Sequence, residues 1–387
     1  MPREFVKRPV PGPKAFRASD HASLLSQAAL LLLLGVKLRG DDTALRARSA
    51  AMRSEKLMAA IPEEDLAFLS PPPLQRYAGE RIAGERVRER LAKRYGSRFL
   101  AKPLGKEQMP KFLERLPGLV ARLYQEPTPL TAAALLEACL RHPDELLRVA
   151  AATSYFELSA EPRRLLKVIR GGMYSRDELV RDVAATALAR IAPQHRALSE
   201  LTKRSATATG SESSHTSLLI HGTWARHSAW WQPNGEFHSY LKTQVRPDLY
   251  KAHDRFEWSG GWSDAARALG AVDLHTWIDS HGLNGLDLFT HSHGGSVAML
   301  ASQAGLNIGE LVLLSCPVYI PKYLPDFTRV TKVVSIRVHL DLVILADGGG
   351  QRFQHPNIQE NVLPVWFDHS ATHDPDIWQQ YSVPSML

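Results

Sequence analysis

The amino-acid sequence predicts a multidomain protein, with an all-α N-terminal part followed by an α/β part that has a mostly parallel, doubly wound sheet. Its 387 residues are enough for two separate hydrophobic cores. The charge changes sign along the chain, since residues 1–209 hold 36 Lys and Arg against 23 Asp and Glu, whereas residues 210–387 hold 11 against 17. Helical patterns fill the first part, and strand-like and helix-like runs alternate in the second.

The first 20 residues are rich in proline, arginine and lysine, and we predict a mobile, basic N-terminus. An apolar run follows at residues 22–36, and Asp20 is predicted to cap the start of the helix that it forms. Its 15 residues fall short of the ~20 that a membrane-spanning helix needs. A helix that is buried or faces a partner is therefore favoured, with attachment to a membrane interface and a full span as alternatives.

A repeated segment lies within the helical domain that we predict over residues 21–200. Asp144–Thr153 and Asp177–Thr186 are identical at seven of ten positions and lie 33 residues apart. Paired amphipathic helices with small residues at their contacts can stack side by side. The region from about residue 111 to 196 therefore resembles HEAT-type helical repeats, and two ordinary alanine-rich helices are the alternative.

A serine- and threonine-rich stretch at residues 201–214 is predicted to be a linker. Beyond it, short apolar runs alternate with helical patterns, which indicates a mostly parallel sheet in a domain of residues 215–387. The predicted strands are 217–220, 255–258, 286–289, 310–314, 332–338 and 362–367, and the predicted helices are 263–280, 295–304 and 374–381.

The most informative stretch is Thr290–Gly295, which stands between a predicted strand and a predicted helix with Ser292 at its centre. A strand that turns this sharply into a helix needs small residues two before and two after the apex. Gly294 meets this need fully, and Thr290 meets it less well. The stretch resembles the nucleophile elbow of α/β hydrolases, in the His-Ser-His-Gly-Gly form of lipase-like esterases; an ordinary Gly/Ser/His turn is the alternative.

The resemblance continues at the end of the first predicted strand, His221-Gly222-Thr223-Trp224. In lipase-like α/β hydrolases the loop after this strand begins His-Gly and donates one N–H group to the oxyanion hole. By position, Thr223 would be that donor here, and His293, directly after the serine, would be the other. The tryptophans that follow are predicted either to pack in the core or to form an apolar wall for the substrate.

A serine hydroxyl needs a base, and the base needs a carboxylate that orients it. In this family the order along the chain is serine, acid, histidine. Asp341, after the strand predicted at 332–338, resembles the family's acid, and Asp347 is the alternative. His369, after the last predicted strand, resembles the family's histidine. His373 is the alternative base; if it is not the base, we expect it to support the cap of the helix that follows.

These motifs predict a serine hydrolase that cleaves small-molecule or lipid esters through an acyl-enzyme, with Ser292, Asp341 and His369 as its triad. No metal or organic cofactor is implied, because the histidines near the elbow lack the carboxylate or cysteine partners of a metal site. The alternatives are a thioesterase or acyltransferase with the same triad, and a helical-repeat scaffold whose hydrolase-like domain binds without turnover.

The basic N-terminal half predicts a partner with an acidic surface, either a protein or an anionic membrane. Nucleic acid is not expected, because the basic stretch lacks interleaved aromatic residues and a binding motif. The two cysteines, Cys139 and Cys316, lie in separate apolar contexts and indicate neither a disulfide framework nor a zinc site. We predict a cytoplasmic protein, with peripheral membrane association as the alternative.

Overall fold

The chain divides into two compact units in the computed structural model. The helical unit consists of Met1–Ile191 with Leu345–Gly348, and the sheet unit consists of Ala192–Ile344 with Gly349–Leu387. The structure describes residues 21–39, 109–126, 128–156, 158, 162–202, 217–252, 254–283 and 285–387. The predicted mobile N-terminus and most of the predicted linker lie outside these residues.

Six helices lie in the described part of residues 1–191: α1 His21–Arg39, α2 Met109–Gln125, α3 Pro129–Cys139, α4 Glu145–Tyr155, α5 Pro162–Gly172 and α6 Glu178–Ile191. The apolar run that the sequence shows at residues 22–36 lies in α1, whose Leu25 and Leu30–Leu34 are buried and which packs against α4 among other neighbours. A Cβ on Gly35 would lie 2.5 Å from Ser154 Oγ, so glycine permits this close approach. Within the described residues, no helix is both long and apolar enough to cross a membrane.

The two copies of the repeated segment make matching hydrogen bonds at the starts of α4 and α6. Asp144 and Asp177 each accept a hydrogen bond from the backbone N–H three residues on, at 3.0 and 3.2 Å. Arg148 and Arg181 each donate to the carbonyl oxygens five and six residues earlier, at 2.6–3.0 Å. Sequence identity therefore translates into the same local structure, while a HEAT-like array stays a prediction.

The sheet unit contains a five-stranded parallel sheet in the order β1-β2-β3-β4-β5. The strands are β1 Ser217–Ile220, β2 Leu286–His291, β3 Ile308–Leu314, β4 Val330–Arg337 and β5 Gln359–Val362. The α-helices that follow Ile191 in the described residues are α7 Arg196–Leu201, α8 Glu236–Tyr240, α9 Asp264–Ser280, α10 His293–Gln303, α11 Leu342–Asp347 and α12 Pro375–Gln380; the second half of α11 belongs to the helical unit.

Both faces of the sheet are covered, because alternate strand residues point to opposite sides. Leu218 and Ile220 join a core cluster with residues of α9 and α10. Leu219 joins a second cluster that includes Phe237 of α8 and Trp378 of α12. Since all five strands are parallel, their carboxyl ends meet at one edge, and the loops that leave them there converge.

Two predicted strands differ from the structure. Residues 255–258 form no strand, although Phe256 and Trp258 are buried in alternation; the edge of β1 is instead contacted by residue 249, which pairs with residue 217. The last strand is Gln359–Val362 rather than 362–367. Pro364 has no N–H group to donate to a neighbouring strand, so regular pairing stops before it.

Candidate active site

Ser292 occupies a sharp turn between β2 and α10. Its backbone has φ 51° and ψ −130°, a combination that costs a residue with a side chain about 1–3 kcal/mol. The Ser292 N–H donates to the carbonyl oxygen of Leu314 at 2.8 Å, which holds the turn against β3. Strain of this kind, retained at the end of a strand and the start of a helix, is the geometry that presents a side chain at the edge of a sheet.

The residues two before and two after Ser292 fit the turn for different reasons. A Cβ on Gly294 would lie 2.6 Å from the carbonyl oxygen of His221, so no side chain can stand there. Thr290 is tolerated because its hydroxyl donates to the carbonyl oxygen of Val312 at 3.0 Å, which satisfies the buried oxygen. The turn thus needs glycine only on its helical side.

The loop after β1 passes directly against the turn. A Cβ on Gly222 would lie 2.8 Å from Ser292 Cβ. Burial lowers the pKa of His221 to about 4, and its Nδ1 lies 2.8 Å from the Gly222 carbonyl oxygen, as expected of a neutral ring that donates there. In a trans peptide the N–H and C=O groups point in opposite directions. The Thr223 N–H therefore points away from the hydrogen bond between the Gly222 carbonyl oxygen and His221 Nδ1.

Asp341 and His369 form a buried hydrogen-bonded pair on two neighbouring loops. Asp341 Oδ2 lies 2.7 Å from His369 Nδ1. Asp341 Oδ1 accepts hydrogen bonds from the N–H groups of Val343 and Ile344, at 2.9 and 3.1 Å, so the start of α11 fixes the carboxylate. Because a carboxylate only accepts, Nδ1 carries a proton, and in the neutral ring Nε2 is then the nitrogen without a proton.

Gln351 holds the backbone of Asp341 from a loop ten residues later. Its Oε1 accepts a hydrogen bond from the Asp341 N–H at 3.0 Å, and its Nε2 donates to the Asp341 carbonyl at 3.2 Å. Arg337, buried at the end of β4, donates to the Gln351 carbonyl oxygen. No motif marks Gln351 in the sequence, and its role is visible only in the structure.

Residues 218–384 match the profile described as the alpha/beta hydrolase family. Together with the parallel sheet and its helices, this match identifies the fold of that region. It is an α/β hydrolase domain. No curated protein and no solved structure shows a significant match to the chain.

The alternative acid and the alternative base take no part in the hydrogen bond that joins Asp341 and His369. Asp347 is at the far end of α11, whereas Asp341 precedes that helix and bonds His369. His373 stacks on Trp230, with ring centroids 4.0 Å apart and planes 8° from parallel. Burial, with a smaller contribution from His369, lowers the pKa of His373 to about 3, so the ring is neutral. Its neighbour Asp374 caps α12.

His291 links the turn of the hydrolase domain to the loop of His369. Its ring centroid lies 4.6 Å from those of both His369 and His373. Its Nε2 lies 3.4 Å from the His369 carbonyl oxygen, which only accepts, so Nε2 carries the proton. Burial lowers the pKa of His291 well below its ordinary value. The residue before Ser292 is therefore a neutral support for the backbone of His369.

His293, the residue after Ser292, is fixed by a buried arginine of α9. Arg267 Nη2 lies 3.3 Å from His293 Nε2, and Arg267 also pairs with Asp264 at 3.1 Å. A guanidinium group only donates, so Nε2 accepts and the proton of the neutral ring lies on Nδ1, which is 3.2 Å from Ser296 Oγ. No motif marks this contact in the sequence, and the role of Arg267 is visible only in the structure.

Among the described residues, no group of three or more histidine, cysteine, aspartate or glutamate side chains is placed to hold a metal ion. The arrangement instead offers a hydroxyl on a strained turn, an imidazole paired with a carboxylate, and backbone N–H groups at the start of α10.

Proposed function

We propose that the α/β hydrolase domain is a serine hydrolase that cleaves carboxylic esters through an acyl-enzyme. The observation that carries the proposal is the 2.7 Å hydrogen bond from His369 Nδ1 to Asp341, beside the strained turn of Ser292. Asp341 sets the tautomer of His369, which leaves Nε2 as the base that a serine hydroxyl requires.

In the first half of the proposed reaction, Ser292 Oγ attacks the ester carbonyl carbon while His369 Nε2 takes the hydroxyl proton. The tetrahedral intermediate collapses, the bond to the alcohol oxygen breaks, and His369 returns the proton to the departing alcohol. In the second half a water molecule attacks the acyl-enzyme by the same route, which releases the carboxylic acid and restores Ser292.

The negative oxygen of each tetrahedral intermediate would accept hydrogen bonds from the N–H groups of Thr223 and His293. Support for Thr223 comes from its peptide, whose N–H points away from the bond that holds the Gly222 carbonyl. Support for His293 comes from its position at the first turn of α10, where the backbone N–H groups and the helix dipole favour negative charge. Donors of this kind stabilise charge that develops only during the reaction.

A fluorophosphonate probe tests this function directly, because it reacts with serines that an adjacent base activates. We expect the full chain to be labelled once, with the label on the peptide that contains Ser292. Ser292→Ala should not be labelled, whereas Ser302→Ala, which removes a buried serine hydroxyl within α10, should be labelled. A folded wild-type protein that resists the probe and hydrolyses no p-nitrophenyl ester would refute the proposal and favour a domain that binds without turnover.

The substrate class is tested with matched compounds on the same protein. We expect turnover of p-nitrophenyl esters, compared over increasing acyl length and against thioesters of the same acyl groups. A kcat/KM for thioesters well above that for esters, at every acyl length, would replace the ester assignment by that of a thioesterase.

A further inference from the structure

The side chain of Gln351 is bonded to both backbone polar groups of the candidate acid. Its Oε1 accepts from the Asp341 N–H at 3.0 Å, and its Nε2 donates to the Asp341 carbonyl oxygen at 3.2 Å. Gln351 is buried, so its amide needs these partners from the protein. Because one amide meets both groups of Asp341, it fixes the direction of that residue as well as its position.

The backbone around Asp341 also contacts the segment that leads to His369. Asp341 forms a β-bridge with Phe367, and the Leu342 N–H donates to the Phe367 carbonyl oxygen at 3.4 Å. His369 follows two residues after Phe367, and its Nδ1 lies 2.7 Å from Asp341 Oδ2. Asp341 is therefore joined both to Gln351 and to the segment that carries the candidate base.

Gln351 is itself held in place by the segment that follows β3. Gly350, directly before it, exchanges two backbone hydrogen bonds with Val318, at 2.8 and 3.1 Å. The buried guanidinium of Arg337 donates both to the Gln351 carbonyl oxygen and to that of Cys316. The position of the amide is thus set by the loops after β3 and β4, and not by a flexible side chain alone.

We propose that Gln351 is a positioning residue of the reaction, which keeps the Asp341 carboxylate at hydrogen-bond distance from His369 Nδ1. Asp341 sets the tautomer of His369, and a ring with its proton on the other nitrogen cannot take the proton of the Ser292 hydroxyl. A misplacement of about 1 Å, caused by a change outside the reacting groups, can cost ~10²-fold in rate. This inference rests on the proposed function of Ser292.

The role predicts a loss confined to the chemical step. Gln351 acts through Asp341 and not on the substrate, so its replacement should lower kcat and leave KM near the wild-type value. The proton that His369 donates to Asp341 should give a proton NMR signal far downfield of the backbone amides, because hydrogen bonds to a carboxylate are short and strong. A residue that served only the fold would lower the melting temperature and leave this signal and the kcat of the folded protein unchanged.

The test compares Gln351→Met, which keeps the length of the side chain and loses the amide, with Gln359→Met. The control makes the same change at an exposed position of β5, where the Gln359 Nε2 donates to the Met386 carbonyl oxygen at 2.7 Å. For p-nitrophenyl acetate we expect Gln351→Met to lower kcat about 10–10²-fold, with KM within about threefold of wild type, and to shift or abolish the downfield signal. Gln359→Met should keep the wild-type kcat and signal.

A second variant serves if Gln351→Met does not fold. Gln351→Asn keeps the amide but is one methylene group too short to meet both groups of Asp341, and we expect it to lower kcat with KM again near wild type. Failure of both variants to fold would assign Gln351 to the fold and overturn the proposal.

Wild-type kcat in a folded variant of Gln351 would also overturn the proposal. So would a loss of kcat with an unchanged downfield signal, because Gln351 would then act elsewhere, and so would a loss of kcat/KM that lies in KM. Fluorophosphonate labelling separates these results from a failure of the proposed function. An unlabelled wild type would reject the triad and this inference with it, whereas these results with a labelled wild type would reject only the role of Gln351.

Discussion

Replacing His373 by phenylalanine should make the hydrolase domain less sensitive to acid while its activity is retained. The side chain stacks on Trp230 at 4.0 Å, and phenylalanine preserves a flat ring in that place. In the wild type, burial is the main cause that lowers the pKa of His373 to about 3. The substitution therefore removes a group that resists protonation in the folded protein and accepts a proton in the unfolded one.

The sign and size of the effect follow from the difference in bound protons. An unfolded histidine titrates near ~6.5, so between that pH and about 3 the unfolded chain holds a proton at this position and the folded chain does not. Stability is highest above this window and falls as the pH drops through it. One proton changes the free energy of unfolding by ~1.4 kcal/mol per pH unit, so His373 should cost the wild type about 1–2 kcal/mol between pH 6.5 and 5.

Urea unfolding of the full chain, followed by tryptophan fluorescence at pH 8, 6.5 and 5, measures this difference. All eight tryptophans lie between residues 224 and 378, so the signal reports the sheet unit. His373→Gln is the matched control, because it also cannot be protonated but loses the stacked ring; it should show the same pH dependence at lower stability. Equal losses in wild type and His373→Phe would refute the reasoning, and loss of the acylation burst in His373→Phe would make His373 the base.

Three further substitutions test the candidate site. Ser292→Ala should lower kcat on the order of 10⁴–10⁶-fold without loss of stability, and a folded variant within tenfold of wild-type turnover would exclude Ser292 as nucleophile. His369→Ala should abolish the p-nitrophenol burst, because no base is then left to take the proton of the Ser292 hydroxyl; a burst of wild-type size in the folded variant would exclude His369 as the base. Gly222→Ala should impair labelling by the fluorophosphonate, because the new methyl group would lie 2.8 Å from Ser292 Cβ; labelling at the wild-type rate would show that the loop can move aside.

The turn of Ser292 could be predicted from a few adjacent residues, because its constraints are local. The glycine two residues after the serine and the change from strand to helix are both visible in the sequence. The choice of Asp341 and His369 needed a resemblance to a known family, since 28 residues separate them and no periodicity links them. The structure brings these two residues into contact and keeps Asp347 and His373 out of that hydrogen bond.

Other features could not be predicted because they depend on contacts between distant segments. The buried alternation of Phe256 and Trp258 is typical of a strand, yet burial alone creates no hydrogen-bonded neighbour. Pro364 does mark the end of the last strand, and the sequence prediction overlooked it. The bonds of Gln351 to Asp341, and of Arg267 to His293, leave no local pattern that could reveal them.

The matching bonds of Arg148 and Arg181 bear on how this chain can change in length. Each arginine joins its own helix to carbonyl groups five and six residues earlier. The hydrogen bonds that hold the loop before the helix are therefore made entirely within one copy of the segment. The gain of one 33-residue period would add a complete set of these donors and acceptors, and the loss of one period would remove a complete set. An insertion between the arginine and its carbonyls would separate them. The helical part should therefore tolerate duplication of whole periods far better than insertions of a few residues in these loops.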